Sequence, residues 1–201
     1  VEVVLTPADQ GMPGAILRAE DIMTKHADTF MPQQFSNAAN PEVHARTTAE
    51  EIWNDTEGQV DAIVSGVGTG GTLTGVGQVI KSRKPELHMI AVEPDGNAVL
   101  SGDVPGAHEI QGIGAGFVPA ILDAEMIDEV IKVKDEMAFS MARKVAKNEG
   151  LPIGITSGAA VAAAIEVARR DDPKGTTIVV ILPSFAARYL PHKLSYDLED
   201  G

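Results

Sequence analysis

One run of seven residues, Gly66-Val67-Gly68-Thr69-Gly70-Gly71-Thr72, concentrates the chemistry of this chain. It sits between an apolar stretch at 61–65 that reads as a strand and a periodic stretch reaching residue 80 that reads as a helix. Successive glycines let the backbone turn sharply and bring several N–H groups onto one anion, and the following helix adds its positive end. Thr69 and Thr72 contribute hydroxyl donors, so the run is suited to gripping a phosphoryl group. Gly66, Gly68 and Gly71 also satisfy G-x-G-x-x-G, and Glu93 closes the next apolar run about twenty residues later, a spacing at which a dinucleotide-binding fold places an acid on a ribose hydroxyl. Two features weigh against that assignment. A hydroxyl-rich loop surrounds a terminal monophosphate more readily than it passes a pyrophosphate, and Glu93 is followed by Pro94-Asp95, which equally forms a plain turn. On local pattern alone both assignments stand.

Other chemistries are excluded or unsupported. The chain has no cysteine, which removes disulfides, thiolate metal sites and a cysteine nucleophile. Its five histidines, His26, His44, His88, His108 and His192, lack metal-ligand spacing, so no metal is expected and each reads as an ordinary surface or core residue. Ser157, within Thr156-Ser157-Gly158, opens an alanine-rich stretch and fits a helix N-cap. With 29 acidic against 16 basic residues the net charge is −13, which disfavours nucleic acid as a partner. No apolar run approaches the ~18 residues a membrane span needs, and no secretory or transit segment is recognisable, so no membrane partner and a cytoplasmic location are expected.

Strand and helix signals alternate along the chain, which predicts an α/β class with a mostly parallel sheet flanked by helices. Aromatic residues make up only 4% of the chain, so its core must be aliphatic. The spacing predicts strands at 1–5, 61–65, 88–93, 128–133 and 176–182, the last a continuous apolar run suited to a central position. Helices are predicted at 15–25, from Asn40 to about residue 54 with Asn40 as cap and Pro41 in the first turn, from the glycine run to residue 80, from Asp135 as cap to a left-handed stop at Gly150, and from Gly158 to Arg170. Extended pieces are expected at 30–35 and 151–155. Residues 94–123, rich in glycine and proline, read as long loops with little regular structure, which at that length are functional or disordered, and the acidic tail 197–201 as frayed.

The glycine run continues as Leu73-Thr74-Gly75, and four further stretches follow an order of their own: Pro32-Gln33-Gln34-Phe35 with Asn40-Pro41-Glu42, Gln111-Gly112-Ile113-Gly114-Ala115-Gly116-Phe117, Gly154-Ile155-Thr156-Ser157-Gly158-Ala159-Ala160, and Pro183-Ser184 with Arg188-Tyr189-Leu190. Together these resemble the cysteine synthase (O-acetylserine sulfhydrylase) family of fold type II pyridoxal-phosphate enzymes across the whole chain. The resemblance implies pyridoxal 5'-phosphate as cofactor, its phosphate on Gly68, Thr69, Gly70, Gly71 and Thr72 and its ring nitrogen on Ser157. A neutral hydroxyl there leaves that nitrogen unprotonated and favours β-elimination and replacement over transamination. It further implies that Gln34 lies near the substrate carboxylate and that the loop holding Gly114 lines the entrance. The activity implied is β-replacement, O-acetylserine plus sulfide giving cysteine plus acetate. A small amino-acid substrate, a homodimer and capture of a serine acetyltransferase C-terminal peptide follow from the same resemblance.

The family's cofactor-binding lysine and its Thr-Ser-Gly-Asn loop have no counterpart here, so no catalytic residue is assigned. Lys25, Lys81, Lys132 and Lys174 fall on helix faces, strand ends or loops. The expectation is therefore a chain lacking roughly the N-terminal third of the family's length and inactive alone, with residues 1–35 a remnant of the smaller domain and 36–201 the large cofactor-binding domain. The nucleotide-binding domain, and a non-catalytic binding module of the same fold, are the alternatives. Thr156, where the family often has serine, and Phe185-Ala186-Ala187, where it often has Ser-Gly, are departures that leave the phosphate loop untouched.

Overall fold

The apolar run ahead of the glycine loop forms strand β1 (Ala62–Gly66), in which Ala62, Ile63, Val64 and Ser65 are all buried. Burial of every residue, rather than every second one, is what a parallel strand covered by helices on both faces requires. In the computed structural model, which describes residues 1–170 and 175–189, β1 pairs in parallel with β2 (His88–Pro94) on one side and with β4 (Ile178–Val180) on the other. Strand β3 (Glu129–Val133) pairs in parallel with β2, giving the order β3-β2-β1-β4. The expected α/β class with a parallel sheet is what the structure shows. Leu190, His192, Lys174 and the tail 197–201 lie outside the described residues.

Side chains on the two faces of the sheet build two cores. On one face Ala62, Val64, Ile90 and Val92 meet Phe139 and Ala142 of helix α5 (Asp135–Glu149) and Ala159 and Ala163 of α6 (Ile155–Ala168). On the other, Ile63, Met89 and Ala91 meet Leu73, Val76 and Ile80 of α4 (Gly71–Arg83) and Ile52 of α3 (Thr48–Asp55). Helix α1 (Gly11–Lys25) and helix α2 (Ala39–Arg46) complete the α-helices among the described residues.

Five expectations are corrected. Residues 1–5 form no strand, and Val1, Val3, Val4 and Leu5 are exposed, so their apolar sequence is not matched by a place in the sheet. The single helix from Asn40 is two, because the Thr47 hydroxyl donates back to Val43 O (2.8 Å) and Thr47 leaves helical geometry at φ −120°, ψ −73°. Asn37, not Asn40, serves the start of α2 by accepting from Ala39 N at 3.0 Å, and Asp135 turns from the helix it opens to accept from Glu109 N at 2.9 Å. Strand β4 is half-buried at the edge of the described sheet rather than central, since apolar continuity reports cover by helices and not lateral neighbours.

Charged side chains tie the strand starts together. Asp128 accepts from Met89 N and from Lys81 Nζ, both at 2.7 Å. Glu129 receives both guanidinium nitrogens of Arg170 at 2.7 and 2.6 Å and His88 Nε2 at 3.2 Å, and the Arg170 hydrogen bonds hold its carboxyl below the ordinary range. A carboxyl with a depressed folded-state pKa adds stability that is fully present above its unfolded value, about 4.3, and fades as pH falls through the lower folded one. Glu129→Gln should therefore cost about 1 kcal/mol near neutrality. In urea titrations the gap to the wild type should close as pH is lowered below about 4.

Candidate active site

The glycine run leaves the C-terminal end of β1. Val67 N donates to Val92 O (3.0 Å), one ladder step beyond the strand, and the chain then turns through Gly70 at φ +80° into α4. That left-handed conformation suits glycine and strains other residues. The amides of the first turn of α4 have no intrahelical acceptor and point, with the helix dipole, out of the sheet. Thr69 Oγ1 accepts from Asn40 Nδ2 (3.0 Å) and from Gly71 N (3.3 Å). Thr72 Oγ1 lies 3.1 Å from His44 Nε2, and His44 Nδ1 lies 2.8 Å from Thr48 Oγ1. Burial pushes the His44 imidazole below its ordinary value, so it is neutral near pH 7. With the Thr48 hydroxyl donating to Nδ1, Nε2–H donates to Thr72, whose own hydrogen then faces away from the histidine.

These hydroxyls open into a cleft of about 950 Å³ lined by Gln34, Gly68, Thr69, Thr72, Gly114 and, from the N-terminal region, residues 8–13. Phe35 packs edge-on to Phe117 beside it, ring centroids 5.0 Å apart. The wall carrying Gly114 is pinned to the glycine loop: Gly114 N donates to Val67 O (3.1 Å), while Gly114 O accepts from Asn97 Nδ2 and His108 Nε2, both at 3.0 Å. Thr156 Oγ1 donates to Gln111 O from the α6 side.

Five residues named from the sequence, Gln34, Gly68, Thr69, Thr72 and Gly114, thus share one cavity, and Gly70 and Gly71 lie in the same loop. Ser157 does not line it. It is the third residue of α6, fully buried, behind a start capped by Gly154, so it is not the N-cap. Its Oγ donates to Ser184 O (2.8 Å) and accepts from Ser184 N (2.9 Å), next to Pro183, which does line the cleft. The donor set fits a phosphoryl group at the loop; at Ser157 the hydroxyl hydrogen is directed to Ser184 O.

Glu93 removes the dinucleotide alternative. Its fully buried carboxylate accepts from Leu100 N (2.8 Å), Ser101 N (3.0 Å) and Ser101 Oγ (2.6 Å), closing the turn after β2 rather than facing a ribose. The roles of Asn40, His44, Asn97 and His108 beside the cleft were not read from the sequence, in which Asn40 reads as a helix cap and the two histidines as ordinary residues. Asn40 and His44, four apart on one helix, carry a signal that would have found them: polar side chains stacked on one face toward the loop. Asn97 and His108 carry none.

A parallel α/β sheet with a threonine-bearing glycine loop at the end of its buried strand, opening on a cleft that Glu93 does not face, is an arrangement suited to a phosphoryl group. The chain belongs to the pyridoxal-phosphate dependent enzyme family, whose pattern it matches over residues 1–184. It is 49% identical over 200 residues to the cysteine synthase of Staphylococcus aureus strain N315, covering 99% of this chain and 64% of that protein. The crystal structure of cysteine synthase from Entamoeba histolytica superposes with a TM-score of 0.91 at 44% identity, covering 97% of this chain and 58% of that one. O-acetyl serine sulfhydrylase isoform 3 of the same organism gives 0.92 at 45% identity, covering 100% and 60%. The chain therefore spans less than two thirds of the length of these relatives.

Because Glu93 closes a turn, Glu93→Ala should leave two amides without an acceptor and lower stability by about 3 kcal/mol, read by denaturant titration. Glu93→Gln, which keeps one acceptor oxygen, should lose less.

Proposed function

We propose that this chain is the phosphate-gripping portion of a cysteine synthase, which in the whole protein converts O-acetylserine and sulfide to cysteine and acetate. The observation that carries this is the convergence of Thr69, Thr72, Gln34 and Gly114 on one cleft. Pyridoxal 5'-phosphate supplies the electron sink for chemistry at the substrate's β-carbon. The chain's own part is to hold and orient. Gly68, Thr69, Gly70, Gly71 and Thr72 take the phosphoryl group on amides, hydroxyls and the α4 dipole. Ser157, whose hydroxyl donates to Ser184 O in the structure, would hold the ring nitrogen, an assignment made on the family resemblance alone. Gln34 receives the amino-acid carboxylate, and the Gly114 loop borders the entrance.

Among the described residues no lysine lines the cleft. Lys25, Lys81 and Lys132 are paired with Asp21, Asp128 and Asp103 at 2.7, 2.7 and 3.0 Å. The grip proposed for this chain is accordingly non-covalent. Residues 1–35 are assigned to the smaller lobe and 36–201 to the large one, which agrees with the sheet lying wholly in the latter. A cytoplasmic location accords with the described helices, none of which is long and apolar enough to cross a membrane. A homodimer and docking of a serine acetyltransferase C-terminal peptide complete the proposal, on the family resemblance alone.

In a thermal-shift titration pyridoxal 5'-phosphate should stabilise the chain, while pyridoxal, lacking the phosphate, and NAD should not. Thr69→Val and Thr72→Val should each weaken the effect about tenfold, the loss of one hydrogen bond to a charged group. Stabilisation by NAD alone would overturn the assignment.

A further inference from the structure

The amide of Asn40 occupies a position that the cofactor grip does not by itself explain. One Nδ2 hydrogen goes to Gln34 O and the other to Thr69 Oγ1, each at 3.0 Å. A backbone carbonyl only accepts, so the amide must present its nitrogen on that side. Its oxygen then faces Gly71 so closely that a methyl there would overlap it, which accounts for glycine at that position. Thr69 Oγ1 also accepts from Gly71 N at 3.3 Å. A hydroxyl has two acceptor sites and one hydrogen. With both acceptor sites filled from the protein side, the hydrogen has to be donated elsewhere, and Thr69 lines the cleft.

We propose that Asn40 is a positioning residue that sets the Thr69 hydroxyl as an obligatory donor to a bound phosphoryl oxygen and fastens the Gln34 backbone to the same loop. The proposal rests on the phosphate-loop assignment above. Without Asn40 the Thr69 hydroxyl gains a competing rotamer in which its hydrogen turns toward the protein. The loop amides and Thr72 remain in place, so binding should weaken rather than vanish. The Gln34 carbonyl is also released, since Asn40 Nδ2 donates to it.

The test is a double-mutant cycle on this chain, with binding of pyridoxal 5'-phosphate and of inorganic phosphate followed by 31P NMR titration. Asn40→Leu keeps the volume and removes the donors; it should weaken both ligands about tenfold, as should Thr69→Val. The double variant should be no weaker than either single one, because both remove the same oriented hydrogen. Thr69→Ser should retain wild-type affinity. Additive losses, or unchanged affinity in Asn40→Leu at unchanged melting temperature, would overturn the proposal. If Asn40→Leu does not fold, Asn40→Ala takes its place in the cycle with the same outcomes. Failure of the unsubstituted chain to bind either ligand would instead overturn the phosphate-loop assignment, and this proposal with it.

Discussion

Everything in the cleft depends on β1 being buried on both faces. A strand walled in by α3 and α4 on one side and α5 and α6 on the other meets solvent chiefly at its tip, and there the backbone must reverse into a helix within a few residues. That reversal lays out the first-turn amides of α4 and the hydroxyls of Thr69 and Thr72 at one place. Asn40 and His44 then brace it from α2. The architecture turns a packing requirement, an aliphatic strand hidden between layers, into a donor-rich loop at the strand's end.

The way the site handles charge follows from the same arrangement. The chain carries a net charge of −13, yet among the described residues neither lysine nor arginine lines the cleft. Attraction for an anion has to come from dipoles: amides at a helix start, two hydroxyls, and a histidine kept neutral by burial. Neutral donors hold one anion by geometry, and their strength depends on which way each hydrogen points. This is why Asn40 and His44, which touch no ligand in this scheme, matter to the hydroxyls they brace.

Much of this was legible in the sequence, and the remainder has identifiable causes. The strand-loop-helix around Gly66 to Thr72 could be read because its signals are local: an apolar run, glycines, then helical spacing. Gln34 and Gly114 could be placed only through family resemblance, since neither residue type announces its role. The true work of Glu93 was hidden because its partners, Leu100 and Ser101, are backbone and hydroxyl donors without a signature. Residues 1–5 and 176–182 show the limit of hydropathy, which reports that a segment is apolar but not which neighbour lies beside it. Thr47 shows another, since one hydroxyl bonding back to Val43 O divides a helix that periodicity makes continuous.

The fastening of the Gly114 carbonyl bears on how the cleft could open. Two donors hold that oxygen, Val67 holds the amide of the same residue, and Thr156 holds Gln111 just upstream. Rotating the peptide plane there would break several bonds at once, so this wall behaves as the stationary jaw of a vice, moving only as the sheet moves. Residues 8–13, from the N-terminal region, line the same cleft.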